Sequence, residues 1–144
     1  MLTVYIGWDS REPIAADVCR YSILEHASIP VDIVMLKQDE LRSRGLYWRD
    51  VDKLASTEFT FTRFLVPELN NFEGTAIFMD SDMVLTTDIA ELIADVDPKK
   101  AVSCVQHDYT PPEGVKMDGQ QQLAYPRKNW SSMVVWNCAH PANQ

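Results

Sequence analysis

The sequence predicts an α/β fold with a sheet that is at least partly parallel. Short runs of β-branched and aromatic residues alternate with stretches of helical periodicity along the 144 residues. These runs are apolar without a polar alternation, which is typical of parallel strands covered on both faces. Gly and Pro signals separate the segments, and the length corresponds to a single domain, 1–144.

The first part of the chain predicts a strand, a helix and a second strand. TVYIGW at 3–8 is β-branched and aromatic, as in a buried strand. A helix over 12–27 follows, since apolar side chains recur at helical spacing after Ser10, a candidate N-cap. VDIVML at 31–36 comes directly after Pro30 and predicts the second strand. The apolar positions that indicate the helix are Ile14, Val18 and Tyr21.

The rest of the chain continues the alternation. Residues 37–57 are polar and predict no regular element, whereas 58–69 predict a helix kinked near Pro67. TAIFMD at 75–80 predicts a third strand, and a short helix follows with Thr87 as its candidate cap. A fourth strand, a turn and a fifth strand are expected at AVSCVQH (101–107), PPEG (111–114) and WSSMVVWN (130–137).

Composition and charge exclude several classes of protein. With 13 basic and 21 acidic residues the net charge is −8, so the chain is a poor binder of nucleic acid. No apolar run approaches the length of a membrane span, and the N-terminus shows no signal-peptide pattern. The three cysteines form no CxxC pair, which fits reduced packing thiols in a cytoplasmic protein.

The stretch IFMDSDMVL at 77–85 is the most informative part of the sequence. Asp80 and Asp82 stand one residue apart at the carboxyl end of an apolar strand, where ligands collect in open α/β sheets. In extended chain, residues i and i+2 face the same side, so both carboxylates can reach one ion. Hard oxygen ligands suit Mg²⁺ or Mn²⁺, which usually carry substrate phosphates. The alternative is that Asp82 caps a turn and Asp80 is simply solvated.

Four segments, in order, make the chain resemble a GT-A glycosyltransferase, most closely glycosyltransferase family 8. The likeness implies a Rossmann-like, mostly parallel sheet flanked by helices, of the nucleotide-diphospho-sugar transferase type. The block around the DxD motif is quite specific, and the other three are moderately so. The matching segments are TVYIGWDSREPIAADVCRYSILEHA, FTFTRFLVPEL, AIFMDSDMVLTTDIAEL and WSSMVVWN.

Carried over by position, the resemblance implies a set of site residues. Asp80 and Asp82 would hold Mn²⁺ or Mg²⁺ against the diphosphate of a nucleotide sugar, with Arg63 directed at the diphosphate or the sugar. Asp80, Asp82 and Arg63 are the expected catalytic residues, because a metal and a guanidinium stabilise the departing charge. The expected nucleotide-binding residues are Gly7, Trp8, Asp9, Arg11, Arg63 and Ser81.

The implied function is metal-dependent transfer of a sugar, expected from a UDP-linked donor, to an unknown acceptor with retention of configuration. The sequence departs from the family in length, so most of the acceptor-side region is expected to be missing. A second copy or a partner protein would then complete the site. His107 and His140 fall outside the family's metal-binding histidine motif, and Ser132 replaces a glycine of the fifth-strand block.

Two other functions remain open at this stage. The chain could bind sugar nucleotides, or hydrolyse them slowly, without true transfer. A haloacid-dehalogenase-like phosphatase also carries a strand followed by DxD, with Asp80 as nucleophile and Asp82 as acid/base. That reading needs a later lysine and a further acidic pair, for which little sequence remains after residue 85.

Overall fold

A computed structural model of the protein describes residues 1–52, 54–107, 114–115, 121–122 and 128–144. The turn predicted at 111–114 falls outside these residues except for Gly114. Within the described ranges, no helix combines the length and the apolar character needed to cross a bilayer.

Strands and helices alternate as predicted. The strands are β1 (Leu2–Gly7), β2 (Val31–Leu36), β3 (Thr75–Met79), β4 (Val102–His107), β5 (Gly114–Val115), β6 (Gln121–Gln122) and β7 (Lys128–Asn137). The helices are α1 (Pro13–His26), α2 (Gln38–Ser43), α3 (Val66–Leu69) and α4 (Ile89–Asp95), with 3-10 turns at Thr62–Leu65 and Pro141–Asn143.

The main sheet has five strands in the order β2-β1-β3-β7-β4. Both β2 and β3 pair with β1 in parallel, whereas β7 runs antiparallel to β3 and β4. The sheet is therefore mixed and mostly parallel, which confirms the predicted fold class. Because β2 and β3 lie on opposite sides of β1, the strand order reverses at the β1–β3 boundary, the usual place for a ligand crevice.

Two hydrophobic clusters cover the two faces of this sheet. Tyr5 and Phe78 belong to one cluster, while Val4, Ile6 and Ile77 belong to the other, as the period of two along a strand requires. Each fully buried side chain of this size contributes about 1.5–3 kcal/mol. The sheet is thus a rigid, doubly covered platform whose strand ends can hold polar side chains in place.

The helix α1 was predicted correctly, but the apolar side chains that indicated it face outward. Ile14 is 75% exposed and Tyr21 is 66% exposed. The buried face consists of Ala16, Cys19, Ser22 and Ile23, which also recur at helical spacing. Both the exposed and the buried stripe of α1 have helical spacing, and the stripe with smaller side chains packs against the sheet.

Four local predictions were wrong. Residues 37–57 contain the helix α2, and 58–69 form turns that lead into a 3-10 helix and α3 instead of one helix. Asp88, not Thr87, caps α4 by accepting from the amide of Ala90. Ser10 does not cap α1, because its hydroxyl donates to a Glu58 carboxylate oxygen at 2.5 Å.

The prediction that all three cysteines are packing residues holds for two of them. Cys19 and Cys138 are buried free thiols, whereas Cys104 is exposed. Cys104 lies on β4 at the edge of the sheet, and a register shift separates it from Val105. Because β4 is an edge strand, its apolar residues need not be covered on both faces of the sheet.

Candidate functional site

The candidate site lies where β1 and β3 end side by side. Asp9 follows β1 by two residues, and Asp80 follows β3 directly. The two strands are in register from Thr3 opposite Ala76 to Ile6 opposite Met79, so their carboxyl ends meet at one edge of the sheet. The switch in strand order therefore places both aspartates at the same crevice.

Asp80 is anchored by its backbone. Its amide donates to the carbonyl of Ser132 on β7 at 2.7 Å, and the Cys19 thiol contacts its carbonyl at 3.9 Å. Burial, together with the smaller effect of the charges of Asp82 and Asp80, raises the pKa of Cys19 to about 11. The thiol is thus a neutral packing group beneath both carboxylates.

Arg63 is a buried guanidinium facing Asp80. Only 7% of the residue is exposed, and its Nη2 lies 3.2 Å from Oδ1 of Asp80. Its Nη1 donates to the Ser131 carbonyl at 2.5 Å and to the Ser131 hydroxyl at 3.1 Å. The Arg63 guanidinium carbon stands 4.7 Å from the ring centroid of Phe78 and 5.7 Å from that of Phe59. Arg63 therefore fixes the position of Asp80 and joins β3 to β7.

Burial lowers the pKa of Arg63, and the neighbouring Asp80 opposes that effect. A guanidinium starts from so high a pKa that it stays charged in a protein. Its Nε has no hydrogen-bond partner among the described residues. The cation is thus held mainly by Asp80, Ser131 and the faces of two aromatic rings.

Asp82 differs from Asp80 in being exposed. The strand ends at Met79, and Ser81 and Asp82 form a turn instead of continuing the extended chain. The assumption of an extended i, i+2 pair was wrong, yet both carboxylates line the same cleft. Ser81 is buried and is not among the residues lining that cleft.

The cleft has a volume of about 600 Å³ and combines three kinds of surface. Among the described residues, its charged groups are Arg63, Asp80 and Asp82, so two carboxylates face one guanidinium. The remaining lining is divided between hydroxyl-bearing and apolar side chains: Ser56, Thr57, Thr60, Ser131 and Ser132 on one hand, Phe61, Phe64 and Met83 on the other.

Asp9 and Arg11 form an ion pair with each other. Arg11 donates to Asp9 through its amide, Nε and Nη2, at 2.7–3.0 Å, and the Glu58 amide donates to Oδ2 at 3.2 Å. Side-chain hydrogen bonding from Arg11 lowers the pKa of Asp9 to about 2. Arg11 also donates to the carbonyl of Ser56 at 2.8 Å. The pair connects the β1–α1 loop to residues 56–58.

Gly7 and Trp8 complete the β1 end. A Cβ at Gly7 would lie 2.5 Å from the Phe59 ring, so glycine is required here by close packing. Trp8 is half-buried, and Lys37 Nζ stands 5.4 Å from the centroid of its ring. Neither residue lines the large cleft.

A second, smaller cleft adjoins the first. Its volume is about 150 Å³, and Thr57 and Phe61 form part of the wall of both clefts. Arg11, Gln38 and Tyr47 also line the smaller cleft. Of the expected nucleotide-binding residues, Arg63 lines the large cleft and Arg11 the small one, whereas Gly7, Trp8, Asp9 and Ser81 line neither.

The donor set for a cation is small. In the described part of the chain, no group of three His, Cys, Asp or Glu residues could hold a metal ion. His140 caps the C-terminal 3-10 helix by accepting from the amide of Ala142, and the side chain of His107 is outside the description. Two carboxylates nevertheless fit Mg²⁺ or Mn²⁺, which are usually held by one or two carboxylates together with waters and substrate phosphates.

Sequence reasoning missed the partners that hold these groups. Ser131 accepts from Arg63 across 68 residues of chain, and Phe59 packs on both Gly7 and Arg63. Glu58 binds Ser10 across 48 residues. No local pattern encodes such contacts, although an aromatic residue near the motif arginine is a weak signal for stacking on its guanidinium.

Sequence comparison identifies a relative of this chain in Arabidopsis thaliana. No protein-family profile matches the chain. Protein CDI of Arabidopsis thaliana is 52% identical over 141 residues, which are 98% of this chain and 54% of that protein. The chain thus spans about half the length of this curated relative, whose name states no activity.

Solved glycosyltransferases share the fold at low sequence identity. The apo structure of the bifunctional enzyme WbbM has a TM-score of 0.62 at 18% identity, covering 95% of this chain and 31% of that one. GlyE of Streptococcus pneumoniae TIGR4 has a TM-score of 0.59 at 16% identity, covering 96% of this chain and 35% of that one. The chain therefore has an α/β fold similar to that of glycosyltransferases.

Proposed function

We propose that the protein is a metal-dependent glycosyltransferase of GT-A type, related to family 8, that uses a nucleotide-diphosphate sugar, with UDP as the nucleotide. One observation carries the proposal: two carboxylates face a single buried guanidinium in the cleft at the β1–β3 boundary. Among the described residues that line the cleft, Arg63 is the one cation, so the second carboxylate gives the cleft a negative charge that a divalent cation would balance. The shared glycosyltransferase fold supports the same function.

Asp80 and Asp82 would hold the cation, either Mn²⁺ or Mg²⁺. When bound, the ion neutralises diphosphate oxygens and so lets an acidic protein accept an anionic donor. Arg63 is positioned by Ser131 and by the aromatic rings of Phe59 and Phe78, so its charge stays at the floor of the cleft. A guanidinium fixed in advance stabilises the leaving diphosphate without reorganisation.

The two adjoining clefts suggest how a donor is accommodated. Its diphosphate and sugar occupy the 600 Å³ cleft beside Asp82, and its nucleoside extends past Thr57 and Phe61 toward Arg11 in the 150 Å³ cleft. In this arrangement Asp9 acts on the nucleotide indirectly, because its carboxylate oxygens accept from Arg11 and the Glu58 amide. Gly7 lets the ring of Phe59 pack closely against the backbone at the end of β1.

Transfer conserves atoms and charge in a simple way. The bond between the anomeric carbon and the diphosphate oxygen breaks, and its electron pair leaves with the nucleoside diphosphate. A hydroxyl oxygen of the acceptor forms the new bond to the anomeric carbon, and its proton passes to the departing diphosphate oxygen. Retention of configuration is the stereochemical outcome that we propose.

UDP release from UDP-glucose, UDP-galactose and UDP-N-acetylglucosamine tests the function. We expect release that requires Mn²⁺ or Mg²⁺, stops with EDTA, and yields an α-linked product from an α-linked donor by proton NMR. Equal release in EDTA would contradict metal dependence. Release without any glycoside product, across a panel of acceptors, would instead identify a hydrolysing domain.

The phosphatase alternative finds no support at the site. Asp80, its nucleophile, is paired with a buried guanidinium. The described residues that line the cleft include no lysine and no second acidic pair, both of which that chemistry needs. We therefore expect the protein not to hydrolyse p-nitrophenyl phosphate in the presence of Mg²⁺.

A further inference from the structure

Phe64 is an exposed aromatic side chain at the mouth of the large cleft. It is 60% exposed, although its neighbour Arg63 in the same 3-10 turn is buried. The Phe64 ring contacts that of Trp136 in an edge-on arrangement, with ring centroids 6.4 Å apart and an interplanar angle of 81°. One side of the ring is thus supported by a core tryptophan on β7, while much of the rest is open to the cleft.

The surroundings of Phe64 mix hydroxyl groups with a small apolar surface. Thr60, Ser131 and Ser132 line the same cleft, and among the described residues Phe61 and Met83 are its other large apolar side chains. A pyranose ring has a matching character, because one face carries C–H groups and its edges carry hydroxyls. An extended lipid or alkyl chain would need a broader apolar surface than three side chains supply.

We propose that Phe64 is the stacking platform for a pyranose ring of the acceptor, which makes the acceptor a saccharide or glycoside. The inference rests on the proposed transferase function, since it places the acceptor in the cleft that holds Asp80 and Asp82. Stacking of this kind requires an aromatic face held in one orientation, and the contact with Trp136 limits the freedom of the ring. The acceptor hydroxyl then enters the cleft beside the donor sugar.

Saturation-transfer NMR with methyl β-glucopyranoside and methyl β-galactopyranoside tests the platform without any donor. We expect saturation of the sugar C–H protons by the wild-type protein. Phe64→Ala should weaken the binding about tenfold, the loss of one stacking contact together with its buried area. Phe64→Trp should restore it, because any large aromatic ring can provide the face.

Tyr21→Ala is the matched control. Tyr21 is an aromatic residue of similar exposure on α1, outside the residues that line the cleft. We expect this variant to bind both glycosides as the wild type does. Near-ultraviolet circular dichroism shows whether Phe64→Ala keeps the packing of Trp136, and Phe64→Leu, which retains an apolar side chain against Trp136, provides a second variant with no aromatic face.

Kinetics separate this proposal from the transferase proposal. With an active donor, Phe64→Ala should raise the KM for the glycoside at least fivefold more than the KM for the nucleotide sugar. The protein could bind glycosides through Phe64 and yet bind no nucleotide. That result would support the stacking role of Phe64 and contradict the proposed transferase function. Two results would overturn the stacking role of Phe64 alone. The protein could turn over the nucleotide sugar while Phe64→Ala and Phe64→Leu leave glycoside binding unchanged, or it could bind no glycoside at all.

Discussion

The ends of β1 and β3 carry the same types of charged residue but use them differently. At the β1 end, Asp9 is paired with Arg11 and is only 4% exposed, so its charge is balanced inside the loop. At the β3 end, Arg63 balances Asp80, and Asp82 remains as an exposed second carboxylate. In the described part of the chain, one strand end is a closed structural connection, and the other has one more carboxylate than it has cations.

Phe59 connects the two regions. Its ring packs against the backbone of Gly7 and lies 6.2 Å, centroid to centroid, from the ring of Phe78. The same ring faces Arg63. We therefore expect an aspartate at a strand end to bind a ligand where its neighbourhood leaves charge uncompensated. Among the described residues, Arg11 compensates Asp9 at the β1 end, and Arg63 compensates one of the two carboxylates at the β3 end.

Removal of the Arg63 guanidinium should have the largest effect on stability. Arg63→Met leaves the partly buried Asp80 carboxylate without this partner and the Ser131 carbonyl without its donor. Breaking a buried pair in this way costs about 3–5 kcal/mol. Urea unfolding should show this loss, and Asp80→Asn in the same background should recover part of it. Arg20→Met, at an exposed position of α1, is the control.

A loss below about 1 kcal/mol in Arg63→Met would mean that water solvates Asp80 freely. The conclusion that the Asp80–Arg63 pair is buried would then be wrong. The contrast between the two strand ends would disappear with it.

A methyl group at Gly7 tests the link through Phe59. Its Cβ would lie 2.5 Å from ring carbons of Phe59, so Gly7→Ala should destabilise the protein by about 1–3 kcal/mol through overpacking. Phe59→Leu should relieve part of that strain. In a double-mutant cycle measured by urea unfolding, we therefore expect the two changes to be less than additive. Strict additivity would show that the two strand ends are not coupled by this ring.

The Asp9–Arg11 pair predicts a dependence of stability on pH. The pKa of Asp9 falls from 3.8 to about 2 on folding, mainly through hydrogen bonds from the Arg11 side chain. A lowered pKa stabilises the folded state above the unfolded value, and that stabilisation is lost as the pH falls from about 4 to about 2. The shift corresponds to about 2 kcal/mol at neutral pH.

Unfolding in urea between about pH 7 and about pH 2 measures this effect. The free energy of unfolding of Asp9→Asn should be lower at neutral pH and should fall less steeply on acidification than that of the wild type. Asp17→Asn, at an exposed position of α1, should follow the wild-type slope. Parallel curves for wild type and Asp9→Asn would show that the β1 carboxylate is not compensated as described.

Asp82→Asn should have the smallest effect on stability. The side chain is exposed, so its replacement should change the free energy of unfolding by less than about 0.5 kcal/mol. Asp80→Asn should destabilise more, because Arg63 then loses its anionic partner. Thermal unfolding of both variants without ligand measures the difference. Equal effects would mean that the two carboxylates share one environment.

Much of the fold could be predicted from local sequence, and the reason is visible in its strands. β2 was predicted at its observed bounds, because a β-branched run between Pro30 and polar residues leaves little choice. The position of Asp80 beside the crevice followed from a strand end and the rule for open α/β sheets. The antiparallel direction of β7, which brings Ser131 to Arg63, depends on a connection that no local pattern specifies.

Sequence reasoning did not reveal contacts between residues that are distant in the chain. Asp9 stays a predicted nucleotide-binding residue, and no sequence pattern indicated that its carboxylate accepts from the amide of Glu58, 49 residues away. The sequence pattern also did not show which face of α1 is buried, because two stripes of the helix have the same spacing. Asp9 is balanced by Arg11, two residues along the chain, whereas Asp80 is balanced by Arg63, 17 residues before it in the sequence.

The most direct test of the surplus charge at β3 is thermal unfolding with uridine diphosphate, with and without Mn²⁺. At a hundredfold excess over Kd, we expect about 2.7 kcal/mol of stabilisation in wild type that requires both ligands together. Asp82→Asn should unfold as the wild type does without ligand and should lose this stabilisation. The same stabilisation in Asp82→Asn, or in wild type without Mn²⁺, would contradict the account.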